Sequence, residues 1–225
     1  MSDQNAAPSK GSNEQSMMAW RVHEFGPPNV MVLERIDRPQ PGPGEVLVRV
    51  CAIGVGPWDG WIRAGKSALP QPLPLTLGSD LSGIVELVGP DVTKFAPGDE
   101  IFGVTNSQFV GAYAEYAIAS AKMIAKKPVS LDDNAAASVP VVAVTAWQAL
   151  FEHGKLAAGQ TVIIHGGAGS VGAYAVQLAH RAGVRVVATA SAADLAYVRS
   201  LGADEAVDYR SKLLWQTRPS ATIIA

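Results

Sequence analysis

The segment Thr161 to Gly172, with the sequence TVIIHGGAGSVG, constrains the fold of this chain more than any other segment. An apolar strand runs directly into a glycine-rich turn and then into a helix. Gly167, Gly169 and Gly172 satisfy the pattern GxGxxG: the first glycine permits a tight turn, the second lets backbone approach a pyrophosphate, and the third lets the helix pack on the strand. The helix N-terminus adds N–H groups and a positive dipole end. The glycine pattern alone also fits an ordinary glycine turn, so the flanking elements decide between the two.

The segments after this turn alternate between helix and strand. Periodicity predicts a helix over 173–183, an apolar strand over 184–190, a helix over 194–201 and a strand over 205–209. Continuous apolar strands that alternate with helices indicate a parallel sheet covered on both faces. The turn therefore predicts a dinucleotide site formed by Gly167, Ala168, Gly169, Ser170, Val171 and Gly172.

The chain before this sheet has a different pattern. From Met18 to about Ala125, short β-rich runs such as 46–53 and 82–88 are separated by proline and glycine turns. This spacing predicts a largely antiparallel β domain or barrel. Residues 132–153 are predicted to be mostly helical, with Pro140 starting or kinking a segment.

Composition excludes several functions. The chain has 225 residues, 48% of them hydrophobic and 17% charged, which is typical of one or two ordered globular domains. A net charge of −2 without a basic cluster argues against nucleic acid. No apolar run approaches the ~20 residues of a membrane span. The single Cys51 excludes an internal disulfide and a cysteine-rich zinc site, and fits a cytoplasmic location.

Five phrases occur in a fixed order along the chain, namely GVGPWDGWIRAG at 54–65, LGSDLSGIV at 77–85, GAYAEYA at 111–117, VTAWQAL at 144–150 and the glycine turn. From Met18 to Tyr209 the sequence resembles the medium-chain dehydrogenase/reductase family, specifically its zinc-independent quinone oxidoreductase branch. The resemblance implies an α/β protein in which a GroES-like β-rich N-terminal domain precedes a partial, first-half Rossmann nucleotide-binding domain. The expected boundaries are a disordered leader at 1–17, the GroES-like domain at 18–130, the partial Rossmann domain at 131–210 and an atypical tail at 211–225.

The resemblance also implies hydride transfer from NADPH to a quinone or conjugated enone, without zinc. Zinc-dependent relatives carry a cysteine where this chain has Gly56, and a GHE phrase where it has Gly78, Ser79 and Asp80. We therefore expect no metal. A conjugated acceptor delocalises the incoming charge, so it depends less on a Lewis acid than an ordinary ketone does.

The type of nicotinamide cofactor is predicted from the end of the second strand. An NAD site places Asp or Glu there, about 20 residues after the glycine turn, to hold the ribose 2′-OH. This chain has Thr189, Ala190 and Ser191, so no carboxylate is expected to repel a 2′-phosphate, and Ser191 could donate to it. Tyr209 matches a tyrosine that several relatives place near that phosphate, and Arg210 adds positive charge. NADPH is therefore favoured over NADH.

The resemblance assigns no catalytic residue with certainty. Thr145 matches the family threonine that lies against the nicotinamide, although an N-cap or a buried helix hydroxyl would explain it equally well. Asp59, Trp61 and Tyr113 are the catalytic candidates. Turn chemistry accounts for Asp59, packing accounts for Tyr113, and Trp61 replaces a tyrosine of several relatives. Gly56 replaces an asparagine that approaches the cofactor in that branch.

Relatives of this kind continue beyond residue 225, and residues 211–225 do not resemble their next segment. We therefore expect a truncated chain whose first strand, 161–165, has an open edge, with residues 221–225 as a candidate fourth strand. The alternatives to an active reductase are a non-catalytic nucleotide-binding protein and an inactive fragment. The expected partner is a small quinone or enone, with neither nucleic acid nor membrane, and a homo-oligomer stays open.

Overall fold

Antiparallel strands form most of the first of two units, Met1–Pro140 and Val141–Ala225. The computed structural model describes residues 15–69 and 71–210 and the backbone of 222–224. The strands of the first unit are β1 (Ser16–Val22), β2 (Met31–Asp37), β3 (Glu45–Ile53), β4 (Leu75–Thr76), β5 (Asp80–Val88), β6 (Glu100–Val104), β7 (Tyr116–Ser120) and β8 (Ile124–Lys126). One sheet has the order β7-β3-β5-β6-β8 and another the order β2-β1-β4, and every pairing is antiparallel. The predicted antiparallel β domain is confirmed.

The core of this unit follows from the β-branched and aliphatic runs recognised in the sequence. β3 and β5 pair along their lengths, with Val48 opposite Val85. Val46, Val48, Leu81, Val85 and Ile101 belong to one buried cluster. The central strands are therefore fixed by apolar packing, while turns at their ends carry the polar residues.

Three helices follow strands of the first unit: one lies in the turn after β3, and two lie in the segment around Pro140. They are α1 (Pro57–Arg63), α2 (Asp133–Ala137) and α3 (Pro140–Trp147), and α3 continues into a π-helix at Gln148–His153. Pro140 begins α3, as expected of a residue that lacks an N–H and fits a helix start. Asp132 caps α2, with Oδ1 accepting a 2.7 Å hydrogen bond from the amide of Ala135.

The division between the units falls after Pro140, ten residues later than the boundary expected from the sequence. The difference is α2, which packs on β3 and β5 of the first unit. The Ser82 hydroxyl donates to the carbonyl oxygen of Asp133 at 2.8 Å and lies 3.1 Å from its Oδ1. Because Ser82 is fully buried in β5, this bond holds α2 on the sheet.

The second unit is a parallel sheet with helices. Its elements are β9 (Thr161–Ile164), α4 (Ser170–Arg181), β10 (Arg185–Ala190), α5 (Leu195–Ser200), β11 (Glu205–Asp208) and β12 (Thr222–Ile224). The strand order is β11-β10-β9-β12 and every pairing is parallel. This is the 3-2-1-4 order of a doubly wound dinucleotide fold, and the expected partial Rossmann domain is confirmed.

One expectation about this sheet is wrong. The first strand was expected to have an open edge, but the backbone of β12 pairs with β9 from Val162 to Ile164. β10 lies along the other edge of β9. Both edges of β9 are paired because the chain returns to the sheet as a fourth parallel strand.

The described part of the chain includes no helix with the length and apolar character that a bilayer crossing requires.

Replacing Leu81 by alanine should lower the free energy of unfolding by about 2–5 kcal/mol, since its side chain is fully buried in β5. Leu87 lies on the same strand with 40% of its surface exposed, so Leu87→Ala should cost less than about 1 kcal/mol. Urea denaturation of both variants measures the difference. Equal losses would contradict the assignment of the β5 core face.

Candidate dinucleotide-binding site

The glycine turn between β9 and α4 differs in one respect from its expected geometry. Gly166, not Gly167, occupies the left-handed conformation, with φ +67°. Gly167 is needed for space, because an added Cβ would lie 2.9 Å from the Cβ of Ala188 and 3.2 Å from Cγ1 of Val198. The tight-turn role expected of Gly167 therefore belongs to Gly166, and the glycine doublet at these positions was the sequence signal for it.

Gly169 and Gly172 bring the start of α4 against the turn. Gly169 is the N-cap of α4, and its amide donates a 2.8 Å hydrogen bond to the carbonyl oxygen of Gly166. A Cβ on Gly172 would overlap that same carbonyl oxygen and lie 2.9 Å from its carbon. Close packing of helix on turn thus requires glycine at 172, as the sequence indicated.

Thr189, in β10, holds the turn from the neighbouring strand. Its buried Oγ1 accepts a 3.1 Å hydrogen bond from the amide of Gly166, and its carbonyl oxygen accepts a 2.8 Å bond from the amide of Gly167. Nδ1 of His165 lies 3.4 Å from the same Oγ1. Sequence reasoning noted Thr189 only as a residue that is not acidic. The sequence signal for the role of Thr189 was a hydroxyl-bearing residue in a strand of mainly apolar residues.

The residues present at this turn fit the pyrophosphate of a dinucleotide. The first N–H groups of a helix lack acceptors within the helix and carry the positive end of its dipole. In α4 these N–H groups follow the exposed N-cap residue, and Ser170 and Val171 are also exposed. The lack of space for Cβ atoms at Gly167 and Gly172 packs the turn tightly against β10 and α4, which fixes the position of the backbone amides at the exposed start of the helix.

A carboxylate from the turn after β10 lies against the residue that follows this strand. The hydroxyl of Ser191 donates to Oδ2 of Asp194 at 2.6 Å. Positions 189–191 contain no carboxylate, as the sequence shows, but residues 192–194 form a short 3-10 turn that brings Asp194 back to Ser191. The preference for NADPH stays a prediction. Counting positions along the strand end could not reveal this.

Tyr209 lies beside the same strand end. Its amide donates a 3.2 Å hydrogen bond to the carbonyl oxygen of Ala190, which places it next to Ser191 at the carboxyl edge of the sheet. Its ring is about half exposed, and the guanidinium carbon of Arg210 lies 5.3 Å from the ring centroid. The structure thus brings together Ser191 and Tyr209, both predicted to contact the cofactor.

Thr145 is the sixth residue of α3, and its exposed side chain donates a 2.7 Å hydrogen bond to the carbonyl oxygen of Val141. It is therefore neither an N-cap nor a buried helix hydroxyl, the two structural alternatives considered for it. Its expected position beside the nicotinamide stays a prediction.

Asp59 and Tyr113 form a buried pair in the first unit. Oδ2 of Asp59 accepts a 2.8 Å bond from the amide of Gly56 and a 3.2 Å bond from the hydroxyl of Tyr113. Burial raises the pKa of Asp59 above its usual range. Burial, followed by the nearby Asp59 carboxylate, also raises the pKa of Tyr113. Both groups are therefore engaged in holding the start of α1. Trp61, the third catalytic candidate, has 59% of its surface exposed.

Trp58 lies over Gly56 and against Ser79, two of the positions at which the sequence departs from zinc-dependent relatives. A Cβ on Gly56 would overlap the indole of Trp58, and the indole Nε1 donates a 3.1 Å bond to Oγ of Ser79. Ser79 in turn donates to Oδ2 of Asp80 at 3.0 Å. Across residues 15–69 and 71–210, no cluster of three or more His, Cys, Asp or Glu side chains could hold a metal ion.

A GroES-like β domain followed by a parallel dinucleotide-binding sheet defines the medium-chain dehydrogenase/reductase class, and comparison with known proteins agrees. Residues 42–129 match the alcohol dehydrogenase GroES-like domain. The chain is 38% identical to human quinone oxidoreductase over 180 residues, which cover 80% of this chain and 54% of that protein. It is 34% identical to the solved quinone oxidoreductase of Coxiella burnetii, with a TM-score of 0.84, covering 93% of this chain and 68% of that one.

A third comparison concerns a solved structure that contains a cofactor. Mycobacterial Rv1454c in complex with NADPH is 37% identical, with a TM-score of 0.76, covering 89% of this chain and 61% of that one. The chain belongs to the quinone oxidoreductase-like branch of the medium-chain dehydrogenase/reductase family. It spans about half the length of the curated relatives it matches.

Replacing Asp59 by asparagine should change how stability depends on pH. Because the pKa of Asp59 is raised in the folded state, folding favours its protonated form. That contribution is fully present below the ordinary aspartate pKa of about 3.9 and is lost as pH rises through the raised pKa. The free energy of unfolding of the wild type should therefore fall relative to that of Asp59→Asn as pH rises from about 4. Urea denaturation at a series of pH values measures both.

Asp99 provides a control of opposite sign. The Ala96 amide and then Lys126 lower the pKa of this carboxylate, so its contribution is present above the ordinary pKa and is lost as pH falls. Wild type should thus lose stability relative to Asp99→Asn on acidification. A pH-independent difference between wild type and Asp59→Asn would contradict the raised pKa of Asp59.

Proposed function

We propose that this chain binds NADPH and takes part in hydride transfer to a quinone or conjugated enone without zinc. The observation that carries the proposal is the glycine turn anchored by Thr189, in which Gly167 and Gly172 leave no room for side chains. Support comes from quinone oxidoreductases of the same fold and from a relative solved with NADPH. A cytoplasmic location belongs to the same proposal.

The residues proposed to hold the cofactor fall into three groups. The backbone from Gly167 to Gly172, with Ala168, Ser170 and Val171, binds the pyrophosphate; Ser191 and Tyr209 bind the adenosine ribose; Thr145 contacts the nicotinamide ring. The bound dinucleotide supplies the hydride. The chain's own part is to fix the phosphates through backbone amides and so to restrict where the ring lies.

Zinc independence rests on Trp58. Its indole occupies the space that a cysteine at position 56 would need and engages Ser79, at the position of the family histidine. A conjugated acceptor suits such a site because its charge is delocalised and its oxygen can take a proton from solvent. Asp59 and Tyr113 are proposed to position the turn that carries Trp58 and Trp61, since each is hydrogen-bonded to the other and buried.

A nucleotide-binding protein without turnover is the second candidate. One observation favours it: the Tyr113 hydroxyl is engaged by Asp59, and Trp61 offers no hydroxyl, so neither candidate supplies a free hydroxyl to an acceptor.

Titration with NADPH followed by addition of a model quinone separates these functions. We expect quenching of protein fluorescence by NADPH, then NADPH oxidation at 340 nm on adding the quinone, unchanged by a chelator. Binding without oxidation supports the second candidate. Neither binding nor oxidation contradicts both and corresponds to an inactive fragment. Loss of oxidation with the chelator would contradict zinc independence alone.

Gly172→Ala should weaken NADPH binding by about fivefold to a hundredfold, because the new methyl group displaces the Gly166 carbonyl and distorts the turn at a cost of roughly 1–3 kcal/mol. Gly60→Ala is the matched control, since open space surrounds its Cβ position in α1. Fluorescence titration gives both dissociation constants, and circular dichroism checks that each variant is folded. Unchanged affinity in a folded Gly172→Ala protein would place the pyrophosphate elsewhere.

A further inference from the structure

Ser191 and Asp194 close a small turn at the carboxyl end of β10. The amide of Asp194 donates to the carbonyl oxygen of Ser191 at 3.0 Å, and the Ser191 hydroxyl donates to Oδ2 of Asp194 at 2.6 Å. Both residues are half-buried, so the pair is fixed in place and yet reaches solvent.

This turn lies where the adenosine ribose is recognised in doubly wound folds, at the end of the second strand. Tyr209 neighbours it through its bond to Ala190. The charges near this edge are mixed: Asp194 on the turn, Asp208 at the end of β11, and the exposed Arg210, whose amide donates to Oδ1 of Asp208 at 3.0 Å. Arg210 supplies positive charge beside the Tyr209 ring.

The Ser191–Asp194 bond opposes recognition of a 2′-phosphate in two ways. A hydroxyl has one proton, so while Ser191 donates to Asp194 it cannot donate to a phosphate oxygen. The Asp194 carboxylate also places a negative charge beside the position that a phosphate dianion would take. The same carboxylate is a suitable acceptor for an unmodified ribose hydroxyl.

We propose that Asp194 is a specificity-determining residue that lowers the preference of this site for the 2′-phosphorylated cofactor, so that NADH and NADPH compete more evenly than Ser191 and Tyr209 alone would allow. The inference rests on the proposed function, because it assumes that the dinucleotide binds at this edge. The inference adds Asp194 to the proposed site as a residue that disfavours binding of the 2′-phosphate.

The test uses adenosine fragments, so that neither turnover nor the nicotinamide enters the result. Calorimetry compares 2′,5′-ADP with 5′-ADP on wild type and on Asp194→Asn. Because the repulsion between a carboxylate and a dianion is removed, Asp194→Asn should tighten binding of 2′,5′-ADP about tenfold. Binding of 5′-ADP should stay equal or weaken. The gain should shrink at high salt.

Two further variants separate local chemistry from net charge. Asp204→Asn removes the same charge at the other end of the sheet, where Oδ2 of Asp204 accepts from the amide of Val186, and it should leave 2′,5′-ADP unchanged. Ser191→Ala should cost little in wild type but should remove part of the gain in Asp194→Asn, because a neutral amide oxygen competes less strongly than a carboxylate for the Ser191 proton.

The outcomes distinguish the two proposals. If wild type binds 5′-ADP but Asp194→Asn leaves 2′,5′-ADP binding unchanged or weaker, the role of Asp194 is overturned and the proposed function stands. An equal gain from Asp204→Asn would also overturn it. If wild type binds neither fragment, the dinucleotide site itself is absent, and both proposals fall.

Discussion

The second unit depends on the hydrogen bonds between the glycine turn and Thr189. β9 delivers the turn and β10 delivers the threonine, and the bonds from the amides of Gly166 and Gly167 join the two at the carboxyl edge of the sheet. The carbonyl oxygen of Gly166 then receives the amide of Gly169, which caps α4. The pairing of two parallel strands thus sets where α4 begins and in which direction its dipole points. The position of the amides that the turn presents therefore follows from the register of the sheet.

Sequence reasoning succeeded where structure is encoded locally. Apolar runs and helical periodicity located β9, α4, β10, α5 and β11 to within a few residues, because burial on a parallel sheet demands those patterns. It was less successful where contacts join distant segments. Thr189 contacts a turn 23 residues away, and Tyr113 reaches Asp59 across 54 residues. Such pairs depend on the topology of the fold, which cannot be predicted from the periodicity of the sequence.

The turn after β10 illustrates a different limit. The rule for NAD sites considers only the residues at the end of the second strand, and in this chain those residues lack a carboxylate. The chain then folds back within three residues, so Asp194 occupies the neighbourhood that the rule meant to describe. The positive-φ glycine was missed for a similar reason, since the motif begins at Gly167 and only the backbone dihedrals show that the adjacent Gly166 has the positive φ.

The place of Trp58 bears on how such a protein could evolve or be redesigned. Side chains such as a cysteine at position 56 and a histidine at position 79 would both meet Trp58, because the indole lies over the first position and is hydrogen-bonded to the second. The indole would have to move or be replaced first, and its replacement would remove the hydrogen bond to Ser79. A mutational path toward metal ligands at these two positions therefore loses a contact before it gains a ligand.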